Sequence, residues 1–228
     1  MSEFTEIVAL VEGRTEKIFL ADLVVPFLAA NGVYLTPIVI SKPGQKGGDV
    51  RFSRVKNDIG LHLKQREDTY LTTFVDFYGI KGDWPGLSEA KQQHDPVDKA
   101  AVINSATRLK VEELFGKKGV GRRFIPYFAM HEFEALLFSG PDKLAAALHV
   151  SRSRIDKILA DCGGPEKIDD SPENAPSKRI EKLSPGFRKT STGIAVAKAI
   201  GLDEIRNRCP VFNGWLTTLE DLKGMSHG

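Results

Sequence analysis

Short apolar runs alternate with amphipathic stretches through the first 140 residues of the chain. Runs of this length, bounded by glycine or polar turns, are typical of strands buried in a parallel sheet. We predict strands over residues 6–11, 34–40, 69–75 and 123–130. Apolar positions at helical spacing predict helices over residues 15–30, 50–66, 96–115 and 131–138. This order predicts an α/β fold with a mainly parallel sheet and helices on both faces.

Beyond residue 140 the pattern changes to short helical stretches separated by breaks rich in proline and glycine. We predict helices over residues 142–148, 151–160, 178–183, 193–200 and 215–222, and a surface loop over 163–176. These helices form a helical C-terminal cap on the sheet or a small appended subdomain. We therefore divide the chain into an α/β domain over residues 1–140 and a helical part over 141–228.

The composition allows a substantial core but gives little indication of a partner. The chain has 228 residues, 41% of them apolar, and a formal net charge of only +2. Cys162 and Cys209 lie far apart without metal-ligand spacing, so we expect free thiols in a reducing cytosol. The acidic start does not resemble a signal peptide, and no apolar run approaches the roughly 20 residues that a membrane span needs. We expect a cytoplasmic protein with no membrane partner.

An acidic residue follows each of two predicted strands. Glu12 comes directly after the first strand, where Gly13 allows a sharp turn, and Asp76 comes after the third. The carboxyl ends of parallel strands meet at one edge of the sheet, where ligands bind in open α/β folds. Half-buried carboxylates at that edge are costly unless something positive meets them. A hard divalent cation can meet several carboxylates at once, so the pattern favours a metal site.

Each acid near this edge also has an ordinary structural explanation. Glu16 lies one helical turn after Glu12, but an acid also suits the N-terminus of a helix. Asp76 could bond within its own turn. Asp83 could reach back towards Asp76 or cap the turn at residues 84–86.

The segment over residues 131–138 carries two further acids on a predicted helix. Its apolar residues share one face, which we expect to be core: Phe133, Leu136 and Leu137. His131 and Glu134 lie together on the other side, and Glu132 flanks the core face. If one acid of this segment joins a metal site, Glu134 is the better candidate and Glu132 the second. His131 could equally be an ordinary polar residue at the start of the helix.

The remaining motifs exclude two common kinds of site. Residues 44–48 are rich in glycine but lack the spacing of a phosphate-binding loop. No serine or cysteine stands in a nucleophile elbow. Basic doublets occur at residues 117–118, 122–123, 178–179 and 188–189, and the simplest reading of any one of them is solvated surface.

The acidic residues resemble the pattern of the Toprim domain, which occurs in topoisomerases, DnaG-type primases and the OLD nucleases. The shared features are Glu12-Gly13-x-x-Glu16 after strand one, an aspartate after strand three and an acid on the helix after strand four. Longer strings across nearly the whole chain are similar to the bacterial family called domain of unknown function 4276. They are Val11-Glu12-Gly13-x-Thr15-Glu16, residues 72–79, Asp83-Trp84-Pro85-Gly86, residues 131–138, Ala175-Pro176-Ser177-Lys178-Arg179 and residues 209–216.

The resemblance implies a Toprim-like, Rossmann-like fold that binds Mg²⁺ or Mn²⁺ through carboxylates and cuts DNA or RNA. Members of the 4276 family are often encoded beside AAA or SMC-like ATPases in phage-defence loci, which implies an ATPase partner. The chain departs from the Toprim pattern at Tyr78, where the second aspartate of Asp-x-Asp belongs. Either Asp83 supplies the missing ligand or only one metal binds well.

We therefore predict a metal-dependent nuclease with three sets of site residues. The catalytic set is Glu12, Glu16, Asp76, Glu134 and Lys178. The metal ligands are Glu12, Asp76, Asp83, Glu134 and Glu132. The residues expected to bind nucleic acid are Lys178, Arg179, Arg188 and Lys189. The alternative is a non-catalytic, Toprim-like subunit that docks on a partner ATPase.

Overall fold

A parallel sheet forms the centre of the fold. A computed structural model describes residues 4–40, 50–66, 68–116, 120–168, 171 and 173–223. The strands are β1 (Thr5–Val11), β2 (Val33–Val39), β3 (Thr69–Asp76), β4 (Phe124–Ile125) and β5 (Phe128–Ala129). Their order is β2-β1-β3-β4, with β5 also beside β3, and the pairings between these strands are parallel. The predicted α/β class with a parallel sheet is confirmed.

The register of the central strands brings the two strand-end acids to one edge. Every residue of β3 is buried, as expected for a strand with neighbours on both sides. Val11 at the end of β1 lies opposite Phe74 of β3. Glu12 and Asp76 therefore leave the sheet at the same carboxyl edge, as the strand pattern predicts.

The apolar run at residues 123–130 does not form the single strand that we predict from it. It is divided into β4 and β5 by Pro126 and Tyr127, and proline has no N–H to donate to a strand pairing. The side chain of Thr73 takes over that pairing. Its Oγ1 accepts from the Tyr127 N–H at 3.1 Å and donates to the Tyr127 carbonyl at 3.2 Å.

Helices surround the sheet and connect its strands. Between β1 and β2, one continuous helical segment comprises α1 (Arg14–Phe19), a π-helical stretch (Leu20–Val24) and α2 (Val25–Ala29). Further helices are α3 (Phe52–Gln65), α4 (Leu87–Lys91), α5 (Pro96–Phe115) and α6 (Val120–Arg123). Asp95 caps α5 as predicted, because its side chain accepts from the Val97 N–H at 2.9 Å. The pattern does not predict α4, which lies in a stretch without helical periodicity.

The C-terminal part is helical, as predicted. A 3₁₀ helix (Phe133–Ser139) leads into α7 (Pro141–Leu148) and α8 (Arg152–Cys162). The later elements are a 3₁₀ turn (Pro165–Lys167), α9 (Pro176–Leu183), a π-helical turn (Lys189–Gly193), α10 (Ile194–Ile200), α11 (Leu202–Arg208) and α12 (Pro210–Glu220). The predicted loop over 163–176 contains the 3₁₀ turn, and α11 is missed because its apolar pattern is short.

The C-terminal helix α12 packs directly on the central strand. The Trp215 indole N–H donates to Thr72 Oγ1 at 2.9 Å, and the Trp215 ring stacks on Tyr127 with centroids 4.7 Å apart. The ring centroid of Phe212, on the same helix, lies 6.0 Å from that of Phe19 in α1. The sheet and the C-terminal helices thus share aromatic core, while the domain division after residue 140 stays a prediction.

Three expectations from composition concern the rest of the chain. Cys162 and Cys209 are free thiols, as predicted, and Cys209 is buried. The glycine-rich stretch 44–48 and the doublet 117–118 lie outside the described residues. Among the described residues, no helix has the length and apolar character to cross a bilayer.

Candidate functional site

The Glu12 carboxylate lies over the turn that follows β3. A Cβ placed on Gly79 would be 2.9 Å from Glu12 Oε2 and 3.4 Å from the backbone oxygen of Asp76. The Gly79 N–H donates to that same oxygen at 3.0 Å, which closes the turn. The absence of a side chain at Gly79 therefore leaves the space that Glu12 occupies. Sequence reasoning quotes Gly79 only as part of a motif and misses this role.

Glu16 folds back from the first turn of α1 towards Glu12. A Cβ on Gly13 would lie 3.1 Å from Glu16 Oε2, so Gly13 also leaves room for a carboxylate. The Glu16 side chain is buried. Burial, with the negative charge of Glu12, raises the pKa of Glu16, while Lys189 and hydrogen bonds from the backbone at Gly13 and Glu16 oppose that shift. Glu16 thus bonds to the N-terminus of α1, as a capping residue does, and also feels the charge of Glu12.

Asp76 is the acid on which the negative charges of Glu12, Glu16 and Glu134 act together. Its side chain is only 9% exposed, and Oδ1 accepts from the Phe133 N–H at 2.9 Å. Burial raises the pKa of Asp76 well above its ordinary value, and Glu16, Glu12 and Glu134 raise it further. These carboxylates therefore lie close together. We call the four residues that carry them the carboxylate group: Glu12, Glu16, Asp76 and Glu134.

Glu134 is fully buried and faces a lysine. Lys189 Nζ lies 2.6 Å from Glu134 Oε1, and Oε2 accepts no hydrogen bond from any described residue. Burial raises the pKa of Glu134, while Lys189 opposes the shift. A buried carboxylate with only one of its oxygens met by a cation can still accept from a further positive group.

Lys189 is the cation that lies beside Glu134, whereas the sequence analysis expects it only among the residues that bind nucleic acid. Burial opposes its charge, but Glu134, Asp76 and Glu132 together raise the pKa of Lys189 above its ordinary value. The next residue, Thr190, lies with its hydroxyl 3.1 Å from that of Thr15 in α1. This contact ties the π-helical turn to the strand-one edge. The sequence around Arg188 and Lys189 does not indicate this contact, because the π-helical turn and α1 meet only in the tertiary fold.

Asp83 does not join the carboxylate group. Its two oxygens accept from the Phe52 and Ser53 N–H groups at 3.1 and 2.9 Å, and so cap the start of α3. Burial alone would raise the pKa of Asp83, but these hydrogen bonds lower it. We therefore correct the metal set, since Asp83 is used by a helix terminus and does not supply the ligand missing at Tyr78.

Glu132 lies beside the group but is held by another element. Its Oε2 accepts from the Ser177 N–H at 2.9 Å, at the start of α9. Its charge contributes to the raised pKa of Glu134 and of Lys189. Of the two acids in this segment, Glu134 is the one whose charge acts on Asp76.

The remaining predicted basic residues lie outside the group. Lys178 pairs with Glu181 at 2.7 Å on the surface of α9, so its predicted catalytic position has no support in this arrangement. Arg179 Nε donates to the Asn174 carbonyl at 2.9 Å. Arg188 is exposed.

The segment that carries Glu134 begins with a strained residue. His131 has φ of 68°, a left-handed conformation that is uncommon outside glycine. Its carbonyl accepts from the Tyr78 N–H at 3.0 Å, which ties the turn after β3 to this segment. The regular helix predicted over 131–138 is therefore wrong at its start, because residues 131 and 132 are extended or left-handed before the 3₁₀ helix begins.

The donor chemistry of the group fits a hard divalent cation, although the side chains do not form a closed metal cage. Within the described ranges, no three His, Cys, Asp or Glu side chains are arranged to hold a metal ion. The donors are carboxylate oxygens, which Mg²⁺ and Mn²⁺ prefer. Burial raises the pKa values of Glu16, Asp76 and Glu134, neighbouring carboxylates add to the shifts, and Lys189 opposes them.

The comparison with family models agrees with the family suggested by the motifs. No curated protein matches the chain. A solved structure of the C-terminal region of the OLD protein of Xanthomonas campestris pv. campestris is similar over 97% of each chain, with 15% sequence identity and a TM-score of 0.43. The family model described as domain of unknown function 4276 matches residues 11–220. The chain therefore belongs to the family called domain of unknown function 4276.

Proposed function

We propose that this protein is a nuclease that uses Mg²⁺ or Mn²⁺ to cut phosphodiester bonds in DNA or RNA. The observation that carries the proposal is the convergence of Glu12, Glu16 and Glu134 on the buried Asp76 at the carboxyl edge of the sheet. Such convergence is unfavourable for the protein alone, because like charges raise one another's pKa values. It is favourable for a site that receives a divalent cation and a phosphate.

Glu12, Asp76 and Glu134 are the proposed metal ligands, with Glu16 placed to hold a water or a second ion. A bound divalent cation supplies charge neutralisation at the phosphoryl group and lowers the pKa of an attacking water. Gly13 and Gly79 keep the carboxylates close, since a larger side chain at either position would touch them. Asp76 is oriented by the Phe133 N–H, which leaves its second oxygen available.

Lys189 takes the catalytic position that sequence reasoning gives to Lys178. Its ammonium lies among the carboxylates, whereas Lys178 pairs with Glu181 on the surface. An ammonium in that place can donate to a phosphate oxygen and stabilise the charge that develops in the transition state. The same residue holds Glu134 while no substrate is present.

Lys178, Arg179 and Arg188 are proposed to hold the nucleic acid backbone beside the site. Lys178 and Arg179 lie on α9, whose first turn is bonded to Glu132 at the edge of the carboxylate group. Arg188 directly precedes Lys189. Cations in this position would offset phosphate charge next to a cluster of acids.

The alternative proposal is a binding subunit without catalysis. Tyr78 stands where a second aspartate is expected and its side chain is 41% exposed, so the site has one carboxylate fewer than the Toprim pattern. Lys189 also satisfies part of the charge of Glu134 without metal. On this alternative the site binds a phosphate group or regulates a partner ATPase.

Purified protein with supercoiled plasmid, or with transfer RNA, distinguishes the two proposals. Each substrate is incubated with Mg²⁺ or Mn²⁺, and the Glu12→Gln variant is compared with Glu113→Gln, which changes an exposed glutamate on α5. Wherever wild type cuts, alone or with the partner ATPase proposed below, we expect Glu113→Gln to cut equally well and Glu12→Gln to lose more than about a hundredfold in rate. Equal cutting by wild type and Glu12→Gln would favour the binding subunit.

The family resemblance further leads us to propose that an AAA or SMC-like ATPase activates the nuclease in phage defence. An unrestrained nuclease would damage its own cell, so activity that depends on a partner is expected. The plasmid assay is therefore repeated with any AAA or SMC-like ATPase that proves to be encoded beside the gene. Absence of cutting with every metal, with and without that ATPase, would leave the binding subunit as the better proposal.

A further inference from the structure

The ammonium of Lys189 already occupies one of the three proposed metal ligands. Its Nζ lies 2.6 Å from Oε1 of Glu134, a carboxylate whose side chain has no exposed surface. Oε2 of Glu134 has no hydrogen-bond partner among the described residues. A lysine and a divalent ion would therefore use the same carboxylate.

The charge of Lys189 also acts on other members of the carboxylate group. Burial raises the pKa values of Glu16, Asp76 and Glu134, and Lys189 lowers all three. These acids belong to three different elements, α1, β3 and the 3₁₀ helix. An ammonium that acts on all of them stands among the carboxylates, where a bound metal ion would stand.

The side chain of Lys189 can leave this position without a change in the fold. Although its ammonium lies on a fully buried carboxylate, the side chain is 47% exposed, so it approaches Glu134 from the solvent side. The four-carbon stem of a lysine is flexible. The adjacent backbone is held separately, because the Thr190 hydroxyl lies 3.1 Å from that of Thr15 in α1. The ammonium can therefore turn outward while the π-helical turn stays at the edge of the sheet.

An ammonium and a divalent ion cannot both hold Glu134 closely, because like charges repel strongly at short range. A lysine meets a carboxylate as a single positive charge. Mg²⁺ or Mn²⁺ carries two charges and binds the oxygens of several carboxylates at once. Glu12, Asp76 and Glu134 can offer such oxygens together, so the group favours the ion over the ammonium.

We propose that Lys189 is a built-in cation of the carboxylate group and that a divalent ion binds by displacing its ammonium from Glu134. The inference rests on the proposed metal-dependent function and adds that the protein's own lysine opposes metal binding. The displaced ammonium stays beside the site, where it can donate to a phosphate oxygen of the substrate. One side chain thus closes the empty site and serves the substrate once the metal is bound.

Acylation of lysines in the wild-type full chain, located by mass spectrometry, tests the displacement. An amine held in an ion pair reacts more slowly with an acylating reagent than a free amine does. Lys189 should react slowly in EDTA and several-fold faster in saturating Mn²⁺. Lys178 and Lys198 are internal controls, because their ion pairs with Glu181 and Asp22 lie outside the carboxylate group. Their rates should not change with Mn²⁺.

Two variants assign the change in acylation to this site. Glu134→Gln removes the charge that holds the ammonium, so Lys189 should react fast with and without Mn²⁺. Glu12→Gln removes a proposed metal ligand and leaves Glu134 in place, so Mn²⁺ should speed the acylation of Lys189 much less than in wild type. Melting temperatures in EDTA establish that both variants are folded.

Calorimetric titration with Mn²⁺ measures how strongly the lysine opposes the ion. Lys189→Met removes the charge and keeps an unbranched side chain, so it should bind Mn²⁺ about tenfold more tightly than wild type. Lys178→Met removes an exposed lysine and should bind Mn²⁺ nearly as wild type does. The acylation of wild type needs no variant, so it tests the displacement even if Lys189→Met folds poorly.

The outcomes separate this inference from the proposed function. Binding of Mn²⁺ to wild type without a change in the acylation of Lys189 would overturn the displacement and leave the proposed nuclease standing. Weaker Mn²⁺ binding by folded Lys189→Met would also overturn it, because the lysine would then help the ligands to hold the ion. If neither wild type nor Lys189→Met binds Mn²⁺, the metal-dependent function itself fails, and the displacement fails with it.

Discussion

Lys189 Nζ lies 2.6 Å from Oε1 of Glu134, a carboxylate whose side chain has no exposed surface. The two residues come from separate helical turns in the C-terminal half, and the contact brings a cation to the edge where β1 and β3 end. A buried carboxylate without a cation is strongly unfavourable. The pair therefore contributes both to folding and to the proposed function. Lys189 balances the charge of Glu134, and it is also the cation of the proposed phosphate site.

Replacing Lys189 by methionine should destabilise the protein by about 2 kcal/mol. This is less than the 3–5 kcal/mol typical of a fully buried pair, because the lysine side chain is 47% exposed. Urea unfolding measures the change. Lys178→Met is the matched control, and the loss of its exposed pair with Glu181 should change the stability much less. The double variant Lys189→Met with Glu134→Gln should recover part of the stability; if it does not, Glu134 is not the group that Lys189 balances.

The stability of wild type should fall relative to Asp76→Asn as pH rises above about 4. The pKa of Asp76 is raised in the folded state, so folding favours the protonated form. Its contribution to stability is complete below the unfolded pKa and is lost as pH rises towards the folded pKa. Asparagine keeps an oxygen that can accept from Phe133 and does not titrate.

Melting temperatures of both proteins, measured across pH in EDTA, give the comparison. Mn²⁺ at neutral pH should reduce the difference in melting temperature between wild type and Asp76→Asn, because a cation offsets the repulsion that raises the pKa of Asp76. Glu113→Gln, at an exposed position, should follow wild type at every pH. A gap between wild type and Asp76→Asn that does not change with pH would contradict the raised pKa.

The sequence predicts the common edge of Glu12 and Asp76, for a physical reason. Strand patterns fix the position of Glu12 and Asp76, because parallel strands end at a common edge. The pattern also selects Glu134 over Glu132, although the helix assumed for that choice is in fact a 3₁₀ helix preceded by a left-handed His131. Burial of Glu134 follows from tertiary packing, and a helical wheel only approximates it.

The remaining features depend on contacts between distant segments, which local patterns do not encode. Lys189 follows a proline- and glycine-rich stretch and looks like solvated surface until the fold brings it to Glu134. From the sequence, Asp83 could reach back towards Asp76 or cap the turn at residues 84–86, but the fold brings it to the start of α3, which it caps instead. The split of the fourth strand depends on Thr73 bonding to Tyr127 across the sheet.

Gly79→Ala should weaken Mn²⁺ binding and cutting without removing a ligand. The new Cβ would lie 2.9 Å from Glu12 Oε2, closer than such contacts allow, so the carboxylate must move. A displacement of this size in a reacting group costs about a hundredfold at most. Gly82→Ala is the matched control, because a Cβ there meets nothing within 4 Å. Calorimetric titration and the plasmid assay should separate the two variants, and equal behaviour would remove Glu12 from its proposed position.

Asp83→Ala should reduce stability and leave metal binding intact. The side chain caps α3 through two backbone N–H groups, and losing such a cap costs about 0.5–2 kcal/mol. Asp83→Asn keeps one accepting oxygen and should lose less. Urea unfolding and Mn²⁺ titration are measured on the same samples. A large loss of Mn²⁺ affinity at unchanged stability would restore Asp83 to the metal set.

Removing the charge of Lys178 or Arg188 should reduce the salt dependence of nucleic acid binding. Each phosphate contact on duplex DNA contributes a slope of about −0.9 in the logarithm of affinity against the logarithm of salt concentration. Binding is measured in the Glu12→Gln background so that the DNA stays intact. Lys178→Gln and Arg188→Gln should each lower the slope by about one contact, whereas Arg154→Gln, at an exposed position of α8, should not.

Lys178 must give up its ion pair with Glu181 to reach a phosphate, so Lys178→Gln should lose less affinity than Arg188→Gln. Slopes equal to that of the parent for both variants would place the DNA on another surface, and the carboxylate group would then have to receive it from a different direction.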